Sequence, residues 1–372
     1  MGFCNTDIEY FQYEQFIGKL EEICNKHIVL FLSTNGEQRW KLESSLKMLE
    51  KNNAVVYRVC NTFENPTVQD IVQVLNSIKD AECIDMMLAI GGGSTIDMAK
   101  AICAFYRPYT ILSQREIMQQ IQNKRIELCN DRIGLIAVPT TAGTGSELTS
   151  WATVWDFDNS VKYSISHACL KPKEAWIVPQ LTYDMPVLLQ LSTGLDALCH
   201  ATEAFWSKHT NPIAQEIAYR AIQLILDNME NAVIRQDIAC KEQICYASVL
   251  SGMAFSQTKT TACHSISYPL TMLYHVPHGL AAAMTLPDVF ESNQGHYPNS
   301  KLLFELFAEH DGLKKWLWKV CKGTIELSLK TWDVEERDIG SIAEKAFTLG
   351  RMDNNPVSLS QSDVEKMLRC HI

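Results

Sequence analysis

The stretch LAIGGGSTIDMAKAI constrains this chain more than any other: a short apolar run, three consecutive glycines, then a helical pattern. Gly91, Gly92 and Gly93 allow backbone N–H groups to come close to an anion. The helix that follows adds its positive end, and Ser94 can donate as well. A diphosphate is the ligand such a turn suits. The spacing is neither G-x-G-x-x-G nor a Walker loop, so those inferences do not carry over. HIVLFLS, AVVYRVC, CIDMMLAIGGGS and RIGLIAVPTTAGTGS share the same texture, each short, aliphatic or β-branched, and closed by Gly, Ser, Asn or Pro. Helical spacing runs over 40–51 and 67–81 between them, the second opened by Thr67 and Asp70 as an N-terminal cap. Strands separated by helices predict a mostly parallel sheet covered on both faces, with nucleotides taken at the strands' carboxyl ends.

From about residue 185 helical patterns at 212–234, 238–255 and 301–319 follow one another with little strand signal. The expectation is an α/β dinucleotide-binding domain over 1–184 and an all-helical domain over 185–372, joined near Pro186, with an active site in the cleft between them. A length of 372 residues accommodates two domains of about 100–200 residues each. Residues 106–131 read as a helix with a surface loop.

Composition narrows the function. With 33 Lys+Arg against 43 Asp+Glu the net charge is -10, and 47% of residues are hydrophobic, which excludes a disordered chain and a basic nucleic-acid binder. The same charge repels a small anionic substrate, so any such substrate requires a local cation. No apolar run approaches the ~18 residues of a membrane span, and the opening lacks the layout of a signal peptide, so a cytoplasmic location is expected. The 13 cysteines are odd in number and contain no C-x-x-C pair, which predicts reduced, mostly buried thiols.

Two further motifs carry chemistry. VPTTAGTGSELTS follows a strand and offers Thr140, Thr141, Thr144 and Ser146 among small residues, suited to a cofactor lying across them. In STGLDALCHATEAFW, Asp196 and His200 stand four apart on one helix face. His264 and His278 follow in ACHSISYPLTMLYHVPHGLAAA, where Tyr-Pro and Pro-His-Gly predict a chain that folds back. One carboxylate and three imidazoles suit iron, zinc, manganese or nickel, and leave room for a substrate oxygen.

Taken together, GGGSTIDMAKA, PTTAGTGSE, TGLDALCHATEAF and CHSISYPL with PHGLAAAMTLP resemble the iron-containing (group III) alcohol dehydrogenase family, in the right order from about 85 to 290. The resemblance implies Asp196, His200, His264 and His278 as ligands of Fe(II), with zinc as a substitute, and NAD(P)H as the second cofactor. It implies Gly92, Gly93 and Ser94 at the pyrophosphate, Asp97 fixing that turn, and Thr140, Thr141 and Thr144 lining the cofactor. Lys162 falls at the family's lysine near the ribose, and Asn65 at its Asn-Pro-Thr near the nucleotide. A homodimer is the common family arrangement.

Three departures matter. Where many members have an acidic residue after the first strand, this chain has Ser33, Thr34 and Asn35, which makes NADPH permissible. Val178-Pro179 replaces the usual Asp-Pro near the domain junction, and Tyr268 stands where many members carry histidine. TKTTACHSISYPLT, WATVWD and KYSIS are similar to the branch that reduces phosphonoacetaldehyde to 2-hydroxyethylphosphonate. Lys259, five residues before His264, then supplies the cation a phosphonate requires, and Tyr268 is the candidate proton donor. The expected reaction is metal-dependent reduction of a small anionic aldehyde, with sulfoacetaldehyde reduction or general short-chain alcohol or diol dehydrogenation as alternatives. Cys199 and Cys263 flank ligands and are expected to point away, and His275 is expected to face solvent.

Overall fold

The computed structural model describes every residue except 1–5, 53–55, 62–64, 82, 111, 125, 127–132 and 160. The chain divides into two compact units, one of 1–141 and 146–183, the other of 142–145 and 184–372.

Among its described residues the first unit holds eight strands: β1 (Asp7–Tyr10), β2 (Ile28–Ser33), β3 (Val56–Asn61), β4 (Met86–Gly91), β5 (Gly134–Pro139), β6 (Trp151–Asp156), β7 (Val161–Ser166) and β8 (Glu174–Ile177). Six form one sheet in the order β1-β8-β5-β4-β2-β3, and every pairing in it is parallel. The remaining two, β6 and β7, form an antiparallel hairpin. Its helices are α1 (Tyr13–Glu22), α2 (Gly36–Arg39), α3 (Glu43–Lys51), α4 (Val68–Ser77), α5 (Gly93–Phe105) and α6 (Gln114–Gln122). Apolar clusters lie on both faces of the sheet, one built around Phe31, Met87, Ile96 and Ile102, the other around Phe16, Leu30, Leu88 and Trp176. This two-sided burial explains why β2, β4 and β5 read as continuous apolar runs rather than alternating ones.

Local chemistry sets the helix boundaries. Thr67 Oγ1 accepts from Asp70 N while the Asp70 carboxylate accepts from Thr67 N, so α4 begins as the sequence predicts. The 40–51 pattern holds one helix that starts late: Trp40, Lys41 and Leu42 lie between α2 and α3, Lys41 sits at φ 54°, and the helix covers only Glu43–Lys51. Within 106–131, α6 is capped by Ser113 and Glu116.

Among the described residues of the second unit the regular elements are all helices: α7 (Val187–Trp206), α8 (Pro212–Ile234), α9 (Ile238–Thr258), α10 (Ala262–Tyr274), α11 (His278–Met284), α12 (Leu286–Asn293), α13 (Ser300–Glu309), α14 (Leu313–Cys321), α15 (Ile339–Lys345) and α16 (Gln361–Arg369), with short 3-10 turns between some of them. The 301–319 pattern is broken at Asp311 and Gly312, both at positive φ, which ends one helix and starts another. Pro269 does not interrupt the chain but lies inside α10, so the reversal after that helix falls at His275 (φ 55°) and Pro277. No helix among the described residues is long and apolar enough to cross a membrane.

Candidate metal centre and nucleotide cradle

In the first unit the strand order reverses between β2 and β4, and parallel sheets bind ligands beside the carboxyl ends of strands at such a reversal. The residues there are Ser33, ending β2, and Gly91, ending β4. A Cβ on Gly91 would lie 2.4 Å from Ser33 Oγ and equally close to Thr95 Oγ1, so only glycine fits. Gly92 is the N-cap of α5 and supplies no side-chain cap to its first turn. Such a turn satisfies its open amides with a ligand or with water. Thr140 N donates to Gly91 O at 3.0 Å. The Thr141 methyl lies 3.2 Å from where a Cβ on Gly92 would stand, and its Oγ1 is buried with no hydrogen-bond partner. Gly92, Gly93, Ser94, Thr140 and Thr141 therefore gather at one end of the sheet, with an orphaned hydroxyl among them that a cofactor oxygen would satisfy.

The other expected cofactor residues lie elsewhere. Asn65 stands before Pro66, whose carbonyl accepts from Trp155 N at 2.8 Å. Lys162 lies on β7 with its Nζ 5.9 Å from the Trp155 ring centre. Thr144 falls in 142–145, which packs with the helical unit.

Asp97 departs from expectation in detail. Its carboxylate accepts from Ser146 Oγ and, at 2.8 Å, from Thr153 N, so it ties α5 to the segment after β5 and not to the glycine turn. One turn on, Lys100 is fully buried, and its Nζ lies within 3.1 Å of Ser146 O, Ser146 Oγ, Thr149 Oγ1 and Trp151 O. Burial lowers the Lys100 pKa to about 8, against the opposing pull of Asp97. No motif in the sequence marks this lysine. In DMAKAI it looks like the solvated face of a helix, and nothing in its spacing signals otherwise.

In the second unit, α7 carries Asp196 and His200 on one face, and α10 brings in His264. One ligand atom from each of the three lies within 4.8 Å of the others, all buried. His264 Nε2 is 3.2 Å from Asp196 Oδ1, and its Nδ1 is held by Glu203 Oε2. Glu203 is fully buried and also accepts from Thr261 Oγ1 at 2.8 Å and Cys263 N at 2.7 Å. His200 Nδ1 donates to Gly143 O at 3.2 Å, which leaves Nε2 with its lone pair. The His200 ring is stacked between Phe255 and His264, at 4.0 and 4.3 Å.

Close backbone approach makes this possible. A Cβ on Gly279 would fall 1.9 Å from Ser192 O and 2.9 Å from Asp196 Cβ, so glycine is what allows α11 to press against α7. His278 precedes it. The ring of His278 lies 5.3 Å from that of His264, outside the trio, with Nδ1 3.3 Å from Ser267 Oγ and one face stacked on Tyr268 at 5.8 Å. Three of the four expected ligands therefore converge, with the fourth adjacent.

The electrostatics suit a cation. Burial alone would raise the Asp196 pKa, but the neighbouring His200, His264 and His278 hold it far below the usual carboxylate range. Burial presses His200 down to about 4, whereas Glu203 and Asp196 outweigh burial at His264 and raise it. Two buried carboxylates thus stabilise positive charge between them, which a divalent ion would supply. Glu203 is the residue the motif reading passed over, although it lies seven residues after Asp196, on the face that carries His200.

Burial pushes the thiols of Cys199 and Cys263 well above their ordinary range, and neither belongs to the trio. His275 is exposed, as expected. So is Lys259, at φ 61° and ψ 174°, its N–H donating to Phe255 O at 2.8 Å.

Comparison with known proteins follows the same division. Residues 9–179 match the family model for iron-containing alcohol dehydrogenase, and residues 190–372 match the C-terminal model of the Fe-containing alcohol dehydrogenase family. The 1-propanol dehydrogenase PduQ of Citrobacter freundii is 32% identical over 74% of this chain and 69% of its own length. The probable alcohol dehydrogenase EutG of Escherichia coli (strain K12) is 35% identical over 62% of this chain, a match spanning only 56% of that relative. A solved sulfoacetaldehyde reductase from Bifidobacterium kashiwanohense, in complex with NAD+, superposes with a TM-score of 0.84 at 24% identity, covering 99% of this chain and 97% of its own. At that identity the likeness speaks for the fold.

Proposed function

We propose that this chain, which belongs to the iron-containing alcohol dehydrogenase family, reduces a small anionic aldehyde to its primary alcohol, with phosphonoacetaldehyde and 2-hydroxyethylphosphonate as the best-fitting pair. The observation that carries the reading is the buried convergence of Asp196, His200 and His264 backed by Glu203. One carboxylate and imidazoles suit Fe(II), and the same set accepts zinc. His278 completes the ligands. When bound, the ion polarises a carbonyl oxygen and NAD(P)H supplies the hydride. Glu203 and the Gly143 carbonyl each accept from one imidazole nitrogen, which orients the opposite nitrogens for ligation, that of His264 lying beside Asp196 Oδ1 where an ion would take the proton's place. Tyr268, stacked on His278, is the residue we assign to deliver the product's hydroxyl proton.

On the cofactor side, the amides of Gly92 and Gly93 with Ser94 hold the pyrophosphate, and Thr140, Thr141, Thr144, Asn65 and Lys162 contact the rest. Asp97 acts indirectly by fixing 146–153. With Ser33 rather than a carboxylate ending β2, NADPH is accepted beside NADH. A cytoplasmic homodimer belongs to the same reading.

Lys259 bears on the substrate. A non-glycine residue at φ 61° and ψ 174° costs on the order of 1–3 kcal/mol, and such strain concentrates where a side chain has work to do. It stands at the entry to the His264 helix. We assign its ammonium to the substrate's anionic head. A second reading, an uncharged short aldehyde, draws support from the similarity to a 1-propanol dehydrogenase.

Initial rates with phosphonoacetaldehyde, sulfoacetaldehyde and propionaldehyde, each with NADH and NADPH, separate these readings. In Lys259→Gly we expect KM for the anionic aldehydes to rise by about tenfold, that for propionaldehyde to hold, and thermal stability to increase as the strain is relieved. A preference for propionaldehyde unmoved by the substitution favours the second reading.

A further inference from the structure

At the end of the sheet away from the glycine turn, the amino ends of β2 and β4 lie side by side, their ladder starting with Ile28 opposite Met86. One residue earlier, Asp85 N donates to His27 O at 2.9 Å and Asp85 Oδ2 accepts from His27 N at 2.7 Å, so the two residues clamp each other. Cys83, on the same strand approach, has its Sγ 3.9 Å from Asp85 Oδ1. His27 Nδ1 lies 3.7 Å from Asp85 Oδ2, beyond hydrogen-bond reach, and it is covered from solvent with no hydrogen-bond partner. One ligand atom each from His27, Cys83 and Asp85 falls within 4.8 Å of the others.

We propose that His27, Cys83 and Asp85 form a second metal site, distinct from the buried centre, for a borderline-soft divalent ion of the zinc class. Imidazole, thiolate and carboxylate are the donors that such ions combine, and three protein ligands leave a fourth position for water. Two of the three sit on backbone locked by mutual hydrogen bonds, so little ordering is required on binding. The coordinating thiol must lose its proton: Cys83–SH and M²⁺ become a Cys83–S–M⁺ unit and a proton released to solvent, with no change of oxidation state. Cys83 and Asp85 are exposed, so the ion enters from solvent. An open, three-ligand site binds more weakly than a closed four-ligand one, which suits an exchangeable ion that tightens the amino ends of β2 and β4.

Cobalt(II) reports this site separately, because the trio of Asp196, His200 and His264 offers no sulfur. The metal-loaded protein is titrated with Co²⁺ while the near-ultraviolet thiolate-to-cobalt charge-transfer band is followed. One equivalent should develop the band, Cys83→Ser should abolish it, and His27→Gln should weaken binding at least tenfold, with dehydrogenase turnover unchanged in both variants. Absence of a sulfur band in the native chain, or a band that survives in Cys83→Ser, overturns the proposal.

Discussion

Each unit buries a cluster of charge, and the two are built on opposite principles. Around Lys100 a single ammonium is surrounded by Ser146 O, Ser146 Oγ, Thr149 Oγ1 and Trp151 O, with the Asp97 carboxylate 3.9 Å away. Its donors are satisfied by the chain itself. Around Asp196 the chain brings together groups of one kind, lone-pair donors, and Glu203 and Gly143 orient them toward a charge the chain does not contain. A buried charge satisfied by protein acts as a brace, whereas a buried set of acceptors waits for a ligand.

Asp196→Asn tests this contrast most severely. It keeps the shape and removes the charge, so metal content by elemental analysis should fall to background and turnover by about 10³-fold, while the chelated protein's denaturation midpoint hardly moves. A large loss of folding stability would make the aspartate a brace too. The complementary substitution, Lys100→Met, leaves several buried acceptors unpaired and should cost about 3–5 kcal/mol in denaturant unfolding, with metal content retained. The lysine also has a pH signature. Burial brings its folded pKa to about 8, below the ordinary lysine value of 10.5, so between those limits the folded state sheds its proton before the unfolded state does. Stability should therefore rise with pH across that window in the native chain, by up to about 3 kcal/mol, and this rise should be missing in Lys100→Met. The gentlest test is Glu203→Gln, which should weaken metal binding by about 10–100-fold in competition with a chelator and leave the fold intact.

How much was legible in the sequence follows from the same distinction. Buried parallel strands announce themselves by continuous apolar runs, and β2, β4 and β5 are readable in that way; β3, an edge strand with Arg58 exposed, is readable from its β-branched and aromatic residues. The other strands are of another kind: β1 and β8 have four residues each, β1 lies at the sheet's edge with only partial burial, and β6 and β7 pair outside that sheet as a hairpin without a continuous apolar run. The helix at 212–234 was readable because Asn211 caps it and Pro212 starts it, but 301–319 was not, because amphipathic spacing continues past Asp311 and Gly312 while the backbone turns. Asp196, His200 and His264 were found through spacing and resemblance. Glu203 and Lys100 escaped because an acidic or basic residue on a helix usually faces water, and only the packing of Thr261 and Cys263 on one, and of 146–151 on the other, identifies them as interior.

The short segment 142–145 gives the helical unit a seam in its sequence. It lies far upstream of Asp184, yet its Gly143 carbonyl is the acceptor for His200, and a Cβ there would fall 2.1 Å from Thr193 O. A gene fragment encoding only the helices would leave that imidazole without its acceptor and α7 without its covering strap. Recombination between relatives at the obvious border would join a strap from one parent to a helix from another. Any side chain larger than hydrogen at 143 in the donated half would be incompatible with that helix, so an exchange succeeds only where the donated strap keeps glycine there.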